Sequence, residues 1–363
     1  MKIVVLAGGI SSERDVSIVS GSKIAAALRS KGHQVVTIDP YIGYEQELSS
    51  IDSLFENQYD FTDNAVIEKK APDIEAVKKS RKNQSNVYFG DHVIDICRAA
   101  DVVFLGLHGG EGEDGTVQAA LKMNGVNYTG SDMLGAAIAM HKGVTKGIFL
   151  NSGVPTPKSK LYKRDFMVDG YLNSWNSFPC VVKPCSAGSS VGVQIVSDRD
   201  GLVAAVGAAF RYDDDVLVEE YIKGRELSVG ILGGKALPVI EIIPKNGWYD
   251  YENKYQAGAT EEICPAQLDP KIAGKMQREA EHAFEVLRLK VYGRVDFLLD
   301  RHNSFYCLEA NTLPGMTPLS LLPQEAAAAG IDYPDLCEKI IELSLNKRQS
   351  LPLGGKGDRV SGG

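Results

Sequence analysis

The sequence predicts an α/β protein, and three observations carry that prediction. Short continuous apolar runs at Ile3–Ala7 and Asp101–Leu107 read as strands buried on both faces, as in a parallel sheet. Each run ends in a glycine-containing polar loop, and helical apolar spacing follows. Further on, Arg294–Ser320 holds two apolar runs, Val295–Leu299 and Phe305–Leu308, around the turn residues Arg301, His302, Asn303 and Ser304. That is a hairpin pattern. A chain of 363 residues, 44% hydrophobic and 24% charged, has ordinary globular composition and room for two or three domains. A net charge of −8 argues against a nucleic-acid surface, which needs a basic stripe. No run approaches the ~20 apolar residues of a membrane span. The N-terminal run is too short for a signal peptide, and Glu13, Arg14 and Asp15 follow it closely. Six scattered cysteines without a C-x-x-C pair predict reduced thiols and a cytoplasmic protein.

The elements follow in order. After Ile3–Ala7, Gly8-Gly9 breaks the strand, and a helical pattern runs through Val19, Ile24 and Leu28 to Gly32. Gln34–Asp39 is a second strand, so the chain opens in a Rossmann-like way without a full G-x-G-x-x-G. The Gly-Gly loop lets a ligand reach a helix N-terminus, where Glu13 suits an ammonium group. Residues 41–95 read as a surface insertion with short strands near Asn86–Phe89, and Lys78, Lys79, Arg81 and Lys82 as a solvated face. His108 ends the strand Asp101–Leu107 and opens a glycine-rich loop, the usual position of an α/β ligand site. Thr116 is read as the cap of the next helix. From Ser131 one long helical stretch runs to Gly153. Phe178–Pro184 is a strand carrying Lys183, and Ser186–Gly192 is a small-residue loop into the strand Val193–Val196. Backbone N–H groups of such a loop can wrap phosphates, with Lys142 and Lys183 as point charges.

Asp198 caps a helix to Tyr212. Val216–Ile222 is a strand containing Glu219, and Gly233-Gly234 turns Arg225–Leu232 into Ala236–Ile243. Trp248–Tyr255 suits an active-site loop. Pro270–Leu287, Leu319–Ala329 and Pro334–Leu345 are helices, with Asp332 as a cap, and the tail from Leu353 is expected to be disordered.

The hairpin carries the chemistry. Side chains alternate along a strand, so Glu309 and Asn311 share a face, roughly 6–7 Å apart. Asp296 can face them from the partner strand. Three hard oxygen donors with phosphate and water suit Mg²⁺.

Seven segments together resemble the D-alanine–D-alanine ligases, an ATP-grasp family of bacterial cell-wall synthesis. They are Gly8–Ser17, His108–Gln118, Tyr128–Ser131, Gly188–Gly192, Tyr249–Tyr255, Gly293–Asp296 and Leu308–Thr317. The resemblance runs in order from about residue 1 to about residue 346. Two places depart from the family pattern: His141 stands where an aspartate is usual, and the insertion 41–95 is longer than in short members.

The resemblance implies an ATP-grasp fold with an N-terminal α/β domain over 1–130, a central lid domain over 131–222 and a C-terminal domain over 223–350, ahead of a tail at 351–363. It implies that Glu13 holds the ammonium of the first D-alanine, with His108 nearby. Lys142, Lys183 and Lys254 would contact ATP phosphates. Glu219 and Ile222 would flank adenine, and Glu226 the ribose. Asp296, Glu309 and Asn311 would bind two Mg²⁺, with Mn²⁺ as a substitute. Arg294 and the Gly315 amide would stabilise oxyanion charge, and Ser320 and Leu321 would meet the second D-alanine. Glu13, Ser189 and Tyr255 would hydrogen-bond on closure. A homodimer is the family expectation. Tyr255 and Leu321 imply D-alanine as the second substrate, because lactate-forming relatives carry a different, histidine-bearing loop and serine-forming ones tend to carry phenylalanine at the tyrosine. The competing readings are a D-alanine–D-serine ligase, another carboxylate–amine ligase of the same fold, and a nucleotide-binding regulator. The full set Arg294, Asp296, Glu309 and Asn311 argues against the last.

Overall fold

The computed structural model describes residues 1–62, 65–67, 72–166, 170–245 and 260–349. The chain begins with β1 (Lys2–Leu6), α1 (Arg14–Ser30) and β2 (Gln34–Ile38). Three short helices follow, α2 (Ile51–Glu56), α3 (Ile74–Ser80) and α4 (Val93–Arg98), then β3 (Val102–Leu105) and α5 (Thr116–Met123). The strands form a parallel sheet in the order β2-β1-β3, with Ile3 opposite Val35 and Val102. Every residue from Ile3 to Leu6 is fully buried, as a strand covered on both faces must be. Helix α1 lies against this sheet so closely that a Cβ on Gly21 would stand 2.4 Å from the Cβ of Ala7. Only glycine permits that approach.

The insertion differs from its expectation. Residues 86–89 form no strand, and the regular structure of 41–95 is the helices α2, α3 and α4. Ser50 and Asp73 cap the first two through the N–H groups of Ser53 and Ala76. Arg81 is not on a solvated face. It is 2% exposed, donates to the carbonyls of Val87 (2.7 Å) and Phe89 (3.0 Å), and stands 4.8 Å from the Tyr41 ring centroid. Two carbonyls and an aromatic face replace its hydration. Thr116 is the first residue of α5 rather than its cap. Gly115 precedes it with φ 95°, and Asp114 accepts from the Thr116 N–H at 2.8 Å.

Next come α6 (Met133–Met140) and α7 (Lys142–Ser152), which replace the single helix expected from Ser131 to Gly153. The break is His141, at φ −90° and ψ 96°. Its Nδ1 accepts from the Val144 N–H at 3.2 Å, so the proton lies on Nε2, which donates to Asp215 at 3.1 Å. Histidine thus caps α7 as a short polar side chain would.

The second sheet is antiparallel, in the order β4-β7-β5-β6, from β4 (Ser159–Lys163), β5 (Cys180–Pro184), β6 (Gln194–Val196) and β7 (Asp215–Glu220). Helix α8 (Arg199–Ala209) covers it, capped by Asp198, and buries Leu202 and Val206 against Val182 and Val218.

The third sheet contains β8 (Gly224–Leu232), β9 (Lys235–Ala236), β10 (Ile240–Pro244), β11 (Thr260–Ile263), β12 (Tyr292–Asp300) and β13 (Phe305–Asn311). Its order is β11-β10-β8-β12-β13, with β9 on β8, so the strand expected over Ala236–Ile243 is divided. Helix α9 (Pro270–Val286) packs Met276, Ala280 and Phe284 onto the sheet. Helices α10 (Leu321–Ala328) and α11 (Tyr333–Gln349) complete the described chain. Leu336, Cys337 and Ile340 of α11 return to the core of the first sheet, so the two ends of the chain share one core. Among the described residues no helix is long and apolar enough to cross a membrane. The Leu353 tail lies outside the described residues.

Glu325 of α10 is 0% exposed. Its Oε1 accepts from the Gly230 N–H at 2.7 Å, at the gap on β8 between the β10 and β9 pairings. Its Oε2 has no hydrogen-bond partner, and burial pushes the carboxyl up to about 8. The folded protein therefore holds this proton more tightly than the unfolded chain does. Its stabilisation is full below the ordinary glutamate range and is lost as pH rises to about 8. Glu325→Gln keeps the acceptor for Gly230, so its urea midpoint should fall less than that of the parent between pH 6 and pH 9. Equal slopes would refute the protonated form.

A second expectation concerns the α7 cap. His141→Ala should cost roughly 1 kcal/mol, and His141→Asn, which retains an acceptor for Val144, should recover most of it. Urea titration of the three proteins checks this, and equal midpoints would show that the cap contributes nothing.

Candidate active site

Loops from all three sheets meet around a cavity of about 720 Å³. The loops after β1 and β3 supply Glu13 and His108. The N-terminus of α7 and the β5–β6 loop supply Lys142, Gly188 and Ser189. The third sheet supplies Arg294, Glu309, Asn311 and, beyond β13, Gly315, Ser320 and Leu321.

The β12–β13 hairpin sets the acidic residues by register. Arg294 is opposite Asn311 and Asp296 opposite Glu309, with a bulge immediately after Asp296. Arg294 grips the Asp296 carboxylate with two hydrogen bonds, Nε to Oδ1 at 2.8 Å and a terminal nitrogen to Oδ2 at 2.9 Å. Ser228 donates to Oδ1 at 2.7 Å, and Asn311 Nδ2 to Oδ2 at 2.9 Å. Glu309 Oε2 stands 3.2 Å from Lys142 Nζ. Lys142 also donates to the Ala187 carbonyl at 2.9 Å. Burial opposes its charge, yet Glu309 outweighs burial and holds the ammonium above the ordinary lysine range.

Among the described residues no three His, Cys, Asp or Glu side chains cluster as metal ligands. The hairpin offers two carboxylates and an amide oxygen instead. Mg²⁺ needs no more protein than this when substrate phosphates complete its shell, so the residues fit that ion.

Glu13 is 8% exposed and accepts from Ser189 Oγ at 2.5 Å, tying the β1–α1 loop to the β5–β6 loop. A Cβ on Gly188 would stand 2.7 Å from Glu13 Oε2, and one on Gly109 2.9 Å from it, so both glycines make room for the carboxylate. Ser189 itself has φ 46°, a left-handed conformation that a hydrogen bond must help to hold.

His108 turns away from a simple ligand role. Its Nδ1 donates to the Leu313 carbonyl at 2.9 Å, which leaves Nε2 as acceptor for the Ser20 hydroxyl at 3.1 Å. Burial holds its pKa below the usual value. Glu113, which sequence reasoning did not single out, reaches the same residue: the Leu313 N–H donates to its Oε1 at 3.4 Å and the Gly109 N–H to its Oε2 at 3.0 Å. Burial, and then the charge of Glu13, push this carboxyl up to about 7. His108 and Glu113 together hold both backbone groups of Leu313.

Lys183 and Glu219 lie off the cavity wall in direct contact with each other. The second oxygen of Glu219 faces Lys146, Nζ to Oε2 3.1 Å, at an angle outside hydrogen-bond geometry, so that attraction is one of charge. Lys146 was also missed from the sequence. Its place four residues after Lys142, on the same helix face, was the available signal. Ile222 follows β7 and Glu226 sits on β8 opposite Ile242. Asp296 stands behind Arg294 rather than on the cavity wall. The Gly315 backbone is close to Ser320, whose Oγ would be 2.9 Å from a Cβ there, and Leu321 is 4% exposed beside Ile240 and Ile242. Lys254 and Tyr255 lie outside the described residues, as does all of Tyr249–Tyr255.

Comparison with known proteins bears on the family of the whole chain. Residues 2–131 match the family model for the D-ala D-ala ligase N-terminus, and residues 151–342 that for the C-terminus. A curated relative, D-alanine–D-alanine ligase of Pediococcus pentosaceus, is 45% identical over 344 residues, which are 94% of this chain and 97% of that protein. The crystal structure of the Bacillus anthracis D-alanine–D-alanine ligase complexed with ATP superposes with a TM-score of 0.72 at 33% identity, covering 96% of this chain and 98% of that one. The VanG D-Ala:D-Ser ligase of Enterococcus faecalis gives 0.73 at 27% identity, covering 94% and 99%. With two family models spanning most of its length and a relative at 45% identity, this chain belongs to the D-alanine–D-alanine ligase family of the ATP-grasp fold.

Proposed function

We propose that this chain joins two D-alanines into D-alanyl-D-alanine at the expense of ATP, in the cytoplasm, as a step of peptidoglycan precursor synthesis. One observation carries the reading. Arg294, Glu309 and Asn311 of the paired hairpin and the Glu13–Ser189 contact bound a single cavity, with Asp296 behind Arg294. A site for phosphoryl transfer and a site for an ammonium group thus share one space.

A carboxylate is a poor acyl donor, because its leaving group would be oxide. Transfer of the γ-phosphoryl group of ATP to the first D-alanine gives D-alanyl phosphate and ADP. The amine of the second D-alanine then attacks the acyl carbon, the amide C–N bond forms, and phosphate leaves. Both steps require positioning and neutralisation of charge. Glu13 would bind the first ammonium, with His108 holding the neighbouring loop. Lys142, Lys183 and Lys254 would meet phosphate oxygens. Glu219 and Ile222 would flank adenine, and Glu226 would take the ribose. Asp296, Glu309 and Asn311 would hold two Mg²⁺, or Mn²⁺ in their place, which would neutralise charge on the transferring group. Arg294 and the Gly315 amide would stabilise oxyanion charge, and Ser320 and Leu321 would bind the second D-alanine. Ser189, with Tyr255, would close the lid over an acyl phosphate that must be kept from water. The units 1–130, 131–222 and 223–350 would be the three domains, in a homodimeric enzyme.

Release of ADP should rise with D-alanine, with D-alanyl-D-alanine as the product. ATP hydrolysis unaffected by D-alanine would point to a nucleotide-binding regulator instead. Leu321 gives the second methyl group an apolar wall and offers a serine hydroxyl no partner, a modest discrimination. In a competition of D-alanine, D-serine and D-lactate at equal concentration, the alanine product should dominate. Dominant D-alanyl-D-serine would place the chain with the serine-forming relatives. Glu309→Gln keeps size and removes charge, so it should greatly lower Mg²⁺-dependent turnover with folding intact. Near-normal kcat at low Mg²⁺ would remove Glu309 from the metal site.

A further inference from the structure

Lys146 is 2% exposed, and it sits where three parts of the fold converge. From α7 its Nζ donates to Thr156 Oγ1 at 2.6 Å and to the Cys307 carbonyl of β13 at 3.1 Å, and it faces Glu219 Oε2 of β7 at 3.1 Å. Thr156 Oγ1 donates in turn to the same Cys307 carbonyl at 2.8 Å. Two hydrogen bonds fix the nitrogen, and the carboxylate beside it supplies the counter-charge. Glu219 therefore lies between two cations, Lys146 on one oxygen and Lys183 on the other.

The two lysines are not equivalent. Lys146 is committed to the scaffold by its bonds to Thr156 and Cys307. Lys183 pairs with Glu219 and stands on β5, which leads into the Gly188–Gly192 loop. A lysine that moves to a phosphate must leave its carboxylate. Breaking a buried pair is strongly unfavourable when the remaining charge has no other partner. Here Glu219 would keep Lys146.

We propose that Lys146 is the standing counter-ion of Glu219, a positioning residue whose charge releases Lys183 to nucleotide phosphate. The proposal rests on the reading of Lys183 as a phosphate ligand. Without Lys146, Glu219 would retain Lys183, and the nucleotide would compete against a buried ion pair. The hydrogen bond of Lys146 to the Cys307 carbonyl of β13 and its ion pair with Glu219 of β7 also link the two sheets while Lys183 exchanges partners.

The test is a double-mutant cycle read by calorimetric binding of ADP with Mg²⁺. Wild-type binding of ADP, with ligase activity on D-alanine, first establishes the reading on which the proposal depends, and its failure would strike that reading alone. Lys146→Met should then weaken ADP binding by roughly tenfold or more, and Lys146→Arg should restore most of it. Glu219→Gln removes the charge that holds Lys183; because Glu219 is also proposed to flank adenine, this variant should bind ADP more weakly than the parent, and its affinity is the reference for that background. In that background Lys146→Met should change affinity by less than about threefold. If Lys146→Met does not fold alone, the comparison of Glu219→Gln with the double variant decides. A purely structural lysine would cost as much in either background. Equal losses, an unfolded double variant, or no ADP binding by Glu219→Gln would overturn the proposal.

Discussion

A buried charge must meet a counter-charge or give up its ionisation, and the centre of this molecule is arranged around that constraint. Asp296 is gripped by Arg294, Glu309 faces Lys142, and Glu219 lies between Lys146 and Lys183. Two buried carboxyls without a cation in contact, Glu113 and Glu325, are pushed towards the protonated form and held by backbone N–H groups. Of these cations, Arg294, Lys142 and Lys183 are the ones proposed to meet oxyanion and phosphate, while Lys146 is proposed to stay with Glu219, so under that proposal binding would be an exchange of partners rather than the creation of new buried charge.

The architecture supplies these pairs from separate elements. Asp296 and Glu309 meet because β12 and β13 are adjacent and in register, whereas Lys142 reaches Glu309 from the start of α7. The position of Lys142 depends on where that helix begins. His141 decides this by leaving the helical conformation and capping the Val144 N–H. The imidazole performs the capping and adds a bond to Asp215 on β7.

How far the sequence revealed all this depended on the range of the interaction. The Glu309–Asn311 spacing and the turn at 301–304 are local, and strand alternation was enough to place both residues on the face that meets Asp296. The Gly-rich loops were legible for the same reason. Glu113 and Lys146 were not, because their partners lie 200 and 161 residues away, at Leu313 and Cys307. Arg81 looked like part of a solvated basic run, and its burial depends on carbonyls and a Tyr41 ring that no periodicity announces. In 41–95 the caps Ser50 and Asp73 went unread, because short helices without a strong apolar stripe gave no pattern to attach them to.

The clamp on Leu313 adds a consequence for the order of the site. Its carbonyl is held by His108 and its N–H by Glu113, both from the loop that follows β3. Leu313 lies between Asn311 and Gly315, so the first sheet fixes a segment that the third sheet carries. Glu13 reaches the same neighbourhood from the loop after β1, against Gly109. The group proposed to hold the first ammonium and the amide proposed to face the oxyanion are therefore referenced to one loop. A shift of the third sheet relative to the first would have to break two buried hydrogen bonds, each costing about 1–3 kcal/mol if left unmade. The β5–β6 loop is tied to this frame through Ser189 and Glu13, a contact between side chains rather than through the backbone. Glu13 and the Leu313–Gly315 segment, the groups proposed for the first ammonium and the oxyanion, thus share one frame of reference.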